Sequence, residues 1–426
     1  MKRGFIYRIW SRTSAYFFVG IDQSLVSAFG LLSGVLLIKT VGLEQYGLYV
    51  WIWLGISFFL GLQQSLILIP LMDSIQDFHS AKRASLLSGS FVLEWLFLLA
   101  SLLTLVLIFG FKIIPIPKGI SISHILILGL AWPLQDFLRR ALLIFQQASK
   151  AFLLDCIGYG LPLFLLFLSS FSLEIDLDFF ILAQAICLGF SSFLGVAITS
   201  WIPIDSKDLF KILSHLWKRG KWMVGQHVIQ FFSGNYFTIA IGVLLGEGML
   251  ASLRLGQSFM GGFHVVFLAM ENIVPIKLSS LVKNGGWWTV LIFIIHTYGI
   301  LIFFYLWFCG LLLLITPYVL VGFYQGDIKV FQEILWGLCG LYLIILIAYP
   351  FRFIIRATGG HKHLLGAYLL SATFSLFAAN YMVSTWGWRG AIIGMALTHL
   401  LMLSFFTFVL NRTHNKYSCR NESFPT

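Results

Sequence analysis

Charged residues are scarce in this sequence, and no polar stretch is long enough to form a soluble domain. Only 11% of the 426 residues are Asp, Glu, Lys or Arg, whereas soluble globular proteins have about 25%. Hydrophobic residues make up 59% of the chain, and the mean hydropathy is +0.91. This composition excludes an ordinary soluble protein and indicates a membrane protein.

Cysteine is also scarce, and the motifs of metal-dependent or nucleotide-driven chemistry are missing. The five cysteines show no metal-ligand or redox-pair spacing, and four lie inside apolar runs, which favours small buried hydrophobic residues. No Gly-x-x-x-x-Gly-Lys-Ser/Thr, His-Glu-x-x-His or Gly-x-Ser-x-Gly motif occurs. We therefore expect no bound metal, no cofactor, no catalytic site and no ATP hydrolysis by the chain itself.

Long apolar runs are abundant instead. A helix needs about 20 apolar residues to cross a bilayer, and runs of this length predict an all-α integral membrane protein with about twelve spans. The predicted spans lie near 19–41, 46–69, 88–111, 121–145, 151–172, 178–200, 222–245, 250–275, 288–315, 331–351, 363–384 and 388–410.

Positive charge is distributed unevenly around these spans. All but six of the 28 Lys and Arg residues fall on one membrane face. The six exceptions are Lys39, Lys112, Lys118, Arg254, Lys329 and Arg389. Because cytoplasmic loops carry an excess of Lys and Arg, we expect both termini in the cytoplasm. The net charge of +11 is therefore interpreted as topology, and we expect no nucleic-acid partner.

The most polar internal stretch divides the spans into two groups of six. Residues 206–221 alternate Lys and Arg with apolar residues, which is typical of an amphipathic helix on the cytoplasmic surface held by anionic lipids. We predict a six-helix lobe over 1–200, a linker over 201–221, a pseudo-symmetric second lobe over 222–410 and a polar cytoplasmic tail over 411–426. Duplicated lobes of this kind place a substrate cavity between two bundles.

Polar residues collect on one face of the first span of each half. In span 1 this face covers roughly 140° and in span 7 roughly 120°. Its members are Asp22, Gln23, Ser27, Gly30, Ser33 and Gly34 in span 1, and Gln226, His227, Gln230, Ser233 and Gly234 in span 7. The small residues suit close helix packing equally well. Gln226 and Gln230 are candidate substrate-binding residues, and Asp22 is a candidate for ion coupling.

Span 8 carries the longest polar stripe, again within roughly 140° of arc. Its members are Arg254, Gln257, Ser258, Gly261, His264, Glu271, Asn272 and Pro275. Such a stripe faces water or a polar substrate, or forms an internal network with a neighbouring helix. Arg254, Gln257 and His264 are candidate substrate ligands, because a guanidinium group binds phosphate through two parallel hydrogen bonds. Arg254 reaching the membrane interface is the alternative. Glu271 is a second candidate for ion coupling.

Span 4 contains a local cluster of opposite charges. Asp136 precedes Arg139 and Arg140 by three and four residues, so that it can pair with either one. A neutralising salt bridge is one interpretation; the other leaves an arginine to bind a lipid phosphate. Glu94 in span 3 and His296 in span 9 are isolated, and for them we favour structural pairing over a proton relay.

Three stretches resemble the polysaccharide-export branch of the multidrug/oligosaccharidyl-lipid/polysaccharide (MOP) flippase superfamily, which includes the O-antigen flippases. The first is Asp22-Gln-Ser-Leu-Val-Ser-Ala-Phe-Gly-Leu-Leu32 in span 1, followed by Val41-Gly-Leu-Glu-Gln-Tyr-Gly-Leu-Tyr49 at its exit. The others are Leu134-Gln-Asp-Phe-Leu-Arg-Arg140 in span 4, and Leu253-Arg-Leu-Gly-Gln257 leading to Met270-Glu-Asn-Ile-Val-Pro275. In the first stretch we expect Gly47 to form the turn between spans 1 and 2.

The resemblance implies an alternating-access flippase that moves a polyprenyl-pyrophosphate-linked oligosaccharide across the bacterial inner membrane for surface polysaccharide synthesis. Its cationic groups would bind the pyrophosphate, for which Arg139, Arg140 and Arg254 are the candidates here. Membrane lipids are further partners, and the resemblance adds polysaccharide polymerases and chain-length regulators. A cation-coupled multidrug exporter of the same superfamily is the alternative. A membrane-embedded glycosyltransferase or ligase is less favoured, because no large outer loop with catalytic acids is present.

Overall fold

The computed structural model describes residues 25–75, 80–111, 119–171, 175–199, 201–203, 205–284, 286–357 and 361–421. Nearly all of these residues are helical, and no strand occurs among them. The all-α prediction is therefore confirmed. The chain divides into two compact units, unit 1 over Met1–Val228 and unit 2 over Ile229–Thr426.

Among its described residues, unit 1 contains six complete helices and the first part of a seventh. The complete helices are α1 (Leu25–Val41), α2 (Leu43–Ile75), α3 (Ser80–Gly110), α4 (Ile122–Ile144), α5 (Ala148–Ser169) and α6 (Leu177–Ile198). Two of them contain a short π-helical segment, Gln64–Leu68 in α2 and Cys156–Gly160 in α5. The apolar interior joins α2, α3 and α4 through residues such as Leu68, Leu87 and Phe137.

The described residues of unit 2 form five helices, and the first of these begins in unit 1. These are α7 (Ser206–Leu245), α8 (Glu247–Asn284), α9 (Gly286–Leu320), α10 (Ile328–Ala357) and α11 (His361–Asn421). Helix α11 is interrupted at Gly387, whose φ of 58° and ψ of −143° are not helical. This residue lies between predicted spans 11 and 12. Glycine adopts a positive φ readily, so that it can interrupt the helix there.

The chain is a multi-pass membrane protein. Among the described residues, eight helices are long and apolar enough to cross a bilayer. Helix α9 illustrates their surface, since Ile292, Phe303 and Trp307 are all more than half exposed. Helices α4 and α8 fall outside these eight, in keeping with the polar groups that the sequence places in predicted spans 4 and 8. The count of about twelve spans and the cytoplasmic placement of both termini stay predictions.

The turn between α1 and α2 lies at Gly42, so the prediction that Gly47 forms it is wrong. Gly42 adopts a φ of 94°, whereas Gly47 is buried within the helix that begins at Leu43. Gly246 has a φ of 87° between α7 and α8, which are the corresponding helices if the halves are repeats. A single left-handed glycine therefore reverses the chain at both places, because its missing Cβ removes the steric penalty of positive φ.

The basic segment at the start of α7 belongs to unit 1 and packs against α2 there. Leu216 is fully buried, and His215 Nε2 lies 3.0 Å from Ser74 Oγ in α2. Arg219 donates to the same hydroxyl oxygen at 3.3 Å. The opposite side of the segment exposes aromatic and basic residues, namely Phe210, Lys211, Trp217, Lys218, Lys221 and Trp222. Residues 206–221 are thus the first turns of one 40-residue helix.

Gly220 makes the closest approach between this segment and α2. A Cβ at position 220 would lie 2.8 Å from the carbonyl oxygen of Leu66, inside the π-helical segment. We expect Gly220→Ala to lower the free energy of unfolding by about 1–3 kcal/mol, because the contacted atom is backbone and cannot rotate away. Thermal unfolding of the purified protein in detergent measures the change.

Gly225 supplies the matched control, since it lies five residues further along the same helix. A Cβ there would meet no atom within 4 Å, so Gly225→Ala should leave stability unchanged or raise it slightly. Equal melting temperatures for the two alanine variants would show that α7 does not dock closely on α2.

Candidate functional site

The polar stripe predicted for span 8 lies on the side of α8 that faces away from the core of unit 2. Arg254, Gln257 and Ser258 are half-buried, whereas Leu255 and Met260 on the other side are fully buried. A membrane helix that faces lipid exposes apolar residues, as α9 does. This half-buried side of α8 instead presents a guanidinium, an amide and a hydroxyl group.

The stripe is held together by short-range hydrogen bonds. Arg254 donates from a terminal guanidinium nitrogen to Gln257 Oε1 at 3.4 Å, and Ser258 Oγ donates to the Arg254 carbonyl oxygen at 3.0 Å. The Gln257 amide therefore steadies the guanidinium from one edge. An arginine carries five N–H donors and can bind a phosphate group through two of them in parallel.

The C-terminal half of the predicted stripe is only partly described. His264, Glu271, Asn272 and Pro275 lie in α8, but their side chains fall outside the described part of the structure. Asp22 lies entirely outside the described residues. The roles of His264 in substrate binding and of Asp22 and Glu271 in ion coupling stay predictions.

The residues predicted for the polar face of span 7 lie in α7 and fall into two groups, one exposed and one in contact with other parts of the protein. Gln226 and Gln230 are exposed, one turn apart, and can offer amide donors and acceptors to a polar ligand. His227 and Ser233 contact protein instead. The ring nitrogen Nε2 of His227 lies 3.2 Å from the carbonyl oxygen of Phe58, and Ser233 Oγ lies 2.6 Å from Ser371 Oγ in α11.

The two arginines of α4 have different environments. Arg139 is buried and donates from Nε to Asp155 Oδ2 in α5 at 2.6 Å. Arg140 donates from Nε to Asp136 Oδ2 at 2.8 Å, and its side chain stays 38% exposed. The predicted salt bridge of Asp136 is thus present, and Arg140 is the arginine of the pair that an outside ligand can reach.

A buried polar network around Asp155 was missed by the sequence analysis. Gln135 donates from Nε2 to Asp155 Oδ1 at 2.8 Å, and Trp132 Nε1 donates to the hydroxyl oxygen of Tyr159 at 3.0 Å. Asp155 immediately precedes the π-helical segment of α5. An acidic residue inside an apolar run was the available signal, because carboxylates within a span are retained only where they are paired or used.

Glu94 is buried, and one of its two carboxylate oxygens accepts a hydrogen bond. Gln63 of α2 donates from Nε2 to Glu94 Oε1 at 2.7 Å. Gln63 is the residue before the π-helical segment of α2, so each of the two π-helical segments directly follows a buried polar residue. Such segments are frequent at functional sites, because they shift the side chains that follow by part of a turn.

The fold is similar to those of solved MOP-superfamily transporters. An inward-facing MATE family multidrug resistance transporter superposes with a TM-score of 0.68 at 14% identity, covering 96% of this chain and 100% of that one. The lipid II flippase MurJ, in an inward closed conformation, gives 0.62 at 13% identity, covering 94% of this chain and 87% of that one. A MOP superfamily transporter from Pyrococcus furiosus, described as having a binding pocket of reversed polarity, gives 0.56 at 15% identity, covering 93% and 95%.

Similarity at this level of identity concerns the fold. No protein-family model matches the sequence, and no curated protein is significantly similar to it. The chain therefore has the fold of MOP-superfamily transporters and flippases, as the three stretches of sequence predicted. The proteins it resembles are not enzymes. The polysaccharide-export branch stays a prediction.

Proposed function

We propose that the protein is a flippase that moves a polyprenyl-pyrophosphate-linked oligosaccharide across the bacterial inner membrane by alternating access. The observation that carries the proposal is the half-buried polar stripe of Arg254, Gln257 and Ser258 on α8, the helix of predicted span 8. A cation on such a surface suits an anionic headgroup, and the fold is shared with a protein named as a lipid II flippase.

Each unit contains candidate contacts for this substrate. In unit 2, Arg254 is the candidate that binds the pyrophosphate through its guanidinium fork. In unit 1, Arg140 is a separate candidate whose side chain is partly exposed. Arg139 is the weaker candidate, since its guanidinium is buried against Asp155. The amides of Gln226, Gln230 and Gln257, together with His264, suit sugar hydroxyl groups. The lipid tail remains in the bilayer, where its transfer to water is avoided.

Deletion of the gene tests this function directly. We expect the lipid-linked oligosaccharide to accumulate on the cytoplasmic leaflet and surface polysaccharide to disappear, with both restored by the wild-type gene. The measurement labels the intermediate on each membrane face in intact and inverted vesicles. Normal surface polysaccharide without accumulation, in a strain that lacks paralogues, would refute the proposal. Polymerases and chain-length regulators are the proposed protein partners in such a strain.

A cation-coupled multidrug exporter is the second candidate, because MATE family multidrug transporters share the fold. A cavity for cationic drugs needs acidic or aromatic residues, whereas the described part of the α8 stripe presents a cation. Efflux of a fluorescent cationic dye from cells that overproduce the protein distinguishes the two functions. Efflux that requires this protein, together with normal surface polysaccharide in the deletion strain, would favour the exporter.

A further inference from the structure

Glu94 is a carboxyl group placed in the interior of unit 1 without a cationic partner. Its side chain is fully buried within the candidate membrane span Arg83–Gly110. One oxygen, Oε1, accepts a hydrogen bond from Gln63 at 2.7 Å. Among the described residues, the other oxygen, Oε2, has no hydrogen-bond partner, and no ion pair includes Glu94. A buried ionised carboxylate in this position is strongly unfavourable.

The side chain of Gln63 also contains a buried oxygen that accepts no hydrogen bond. Its Nε2 donates both hydrogens, one to Glu94 Oε1 and one to the carbonyl oxygen of Pro133, each at 2.7 Å. Both of these atoms are acceptors, so the orientation of the amide is fixed and its nitrogen cannot be exchanged with its oxygen. The remaining atom, Gln63 Oε1, is buried and has no donor among the described residues.

The two side chains therefore contain two buried oxygens, Glu94 Oε2 and Gln63 Oε1, that have no hydrogen-bond partner among the described residues. One hydrogen placed between them would form a hydrogen bond. A carboxyl group that carries a proton on Oε2 becomes a donor, and Gln63 Oε1 is an acceptor on the side chain to which Glu94 is already bonded. An amide and a carboxylic acid paired in this way form two parallel hydrogen bonds in a ring. One proton would thus give both oxygens a hydrogen-bond partner, and a buried polar atom without a partner is unfavourable.

We propose that Glu94 is a proton-binding site, occupied in this conformation, and that Gln63 is the residue that positions the proton. The ligand is a single proton taken from water, and its release returns a carboxylate with no donor for Oε2. Occupancy of the site is therefore linked to the packing of α2, α3 and α4, which the side chains of Glu94 and Gln63 and the Pro133 carbonyl group join.

The charged groups on the surrounding helices are paired with other residues. In α4, Asp136 bonds Arg140 at 2.8 Å and lies 4.0 Å from Arg139. From α2, Gln64 donates to that same carboxylate at 3.4 Å.

Two titratable side chains of α7 also lie on this side of unit 1. They are His215 and Arg219, and both contact the hydroxyl group of Ser74. Among the described residues of α2, α3 and α4 named here, Glu94 is the carboxyl group that has no ion-pair partner. A proton can therefore neutralise it where no cation does.

Proton exchange at this site requires the helix junction to open. Gln63 directly precedes the π-helical segment Gln64–Leu68, which contacts Gly220 of α7. A conformational change that separates α2 from α3 would expose Glu94 to water and allow the proton to leave. This inference concerns the coupling ion, and it holds whether the transported substrate is a lipid-linked oligosaccharide or a drug.

Infrared spectroscopy of the purified protein in lipid nanodiscs tests the proposal. At neutral pH we expect a carbonyl stretching band of a protonated carboxylic acid, and its loss in Glu94→Gln. Glu333→Gln is the matched control, because Glu333 is half-exposed and bonded to Arg389, so that this substitution should leave the band in place. Gln63→Leu should shift the band to higher frequency, because the acid loses its hydrogen-bonded partner.

An unchanged band in Glu94→Gln, or no such band in the wild type, would overturn the proposal. Failure of Glu94→Gln to fold would also count against it, because a neutral amide supplies the same donor and acceptor that the protonated acid needs. The measurement uses neither substrate nor transport. Its outcome is therefore independent of whether the proposed flippase function is correct.

Discussion

Replacing Arg254 with alanine is expected to reduce export of the lipid-linked oligosaccharide to background, while Arg254→Lys retains part of it. Each charge-assisted hydrogen bond contributes about 1.5–3 kcal/mol, and a guanidinium makes two parallel bonds to a pyrophosphate. Losing both lowers substrate affinity by roughly 100-fold or more. Lysine keeps the charge but not the planar fork, so partial activity is the expected result. Complementation of the deletion strain, scored as surface polysaccharide, measures the effect.

Arg389→Ala is the matched control for this experiment. Arg389 is also an arginine outside the predicted cytoplasmic face, but its side chain is 65% exposed and bonded to Glu333 at 2.6 Å. An exposed ion pair contributes little, so export by Arg389→Ala should equal that of the wild type. Both variants must be present in the membrane in equal amounts. Wild-type export by Arg254→Ala would exclude Arg254 from substrate binding.

The helices were predictable from the sequence because a bilayer imposes a simple requirement on them. Long apolar runs located α2, α3, α9 and α10, and the charge pattern located the start of α7. The position of the first turn was less predictable. Gly42 precedes α2 and Gly47 lies in its first turns. The sequence does not show which of the two glycines adopts a positive φ. That choice depends on where α2 starts to form hydrogen bonds.

The candidate site was predictable where it depends on one helix. The α8 stripe and the pairing of Asp136 with Arg140 follow from helical spacing alone. The partners of Arg139, Gln63 and Glu94 come from other helices, and no local pattern indicates which side chains meet after packing. Consequently the sequence suggested two similar arginines, whereas packing buries Arg139 and leaves Arg140 accessible.

Removal of the Asp155 carboxylate is expected to have the largest effect on stability of any single substitution considered. Asp155 is fully buried and accepts from Arg139 Nε at 2.6 Å and from Gln135 at 2.8 Å. In Asp155→Ala the guanidinium stays buried, with Asp136 at 4.0 Å as a shared and more distant counter-charge. Breaking a buried ion pair in this way typically lowers the free energy of unfolding by about 3–5 kcal/mol.

Three further variants separate the lost charge from the lost packing. Asp155→Asn keeps an acceptor for Gln135 and should fall between the wild type and Asp155→Ala. The double substitution Arg139→Met with Asp155→Leu should recover most of the stability, because no uncompensated charge remains in the interior. Glu333→Ala breaks an exposed pair and should change the free energy of unfolding by less than about 1 kcal/mol. If Asp155→Ala and Glu333→Ala have the same melting temperature in the same detergent, Asp155 does not anchor α5 to α4.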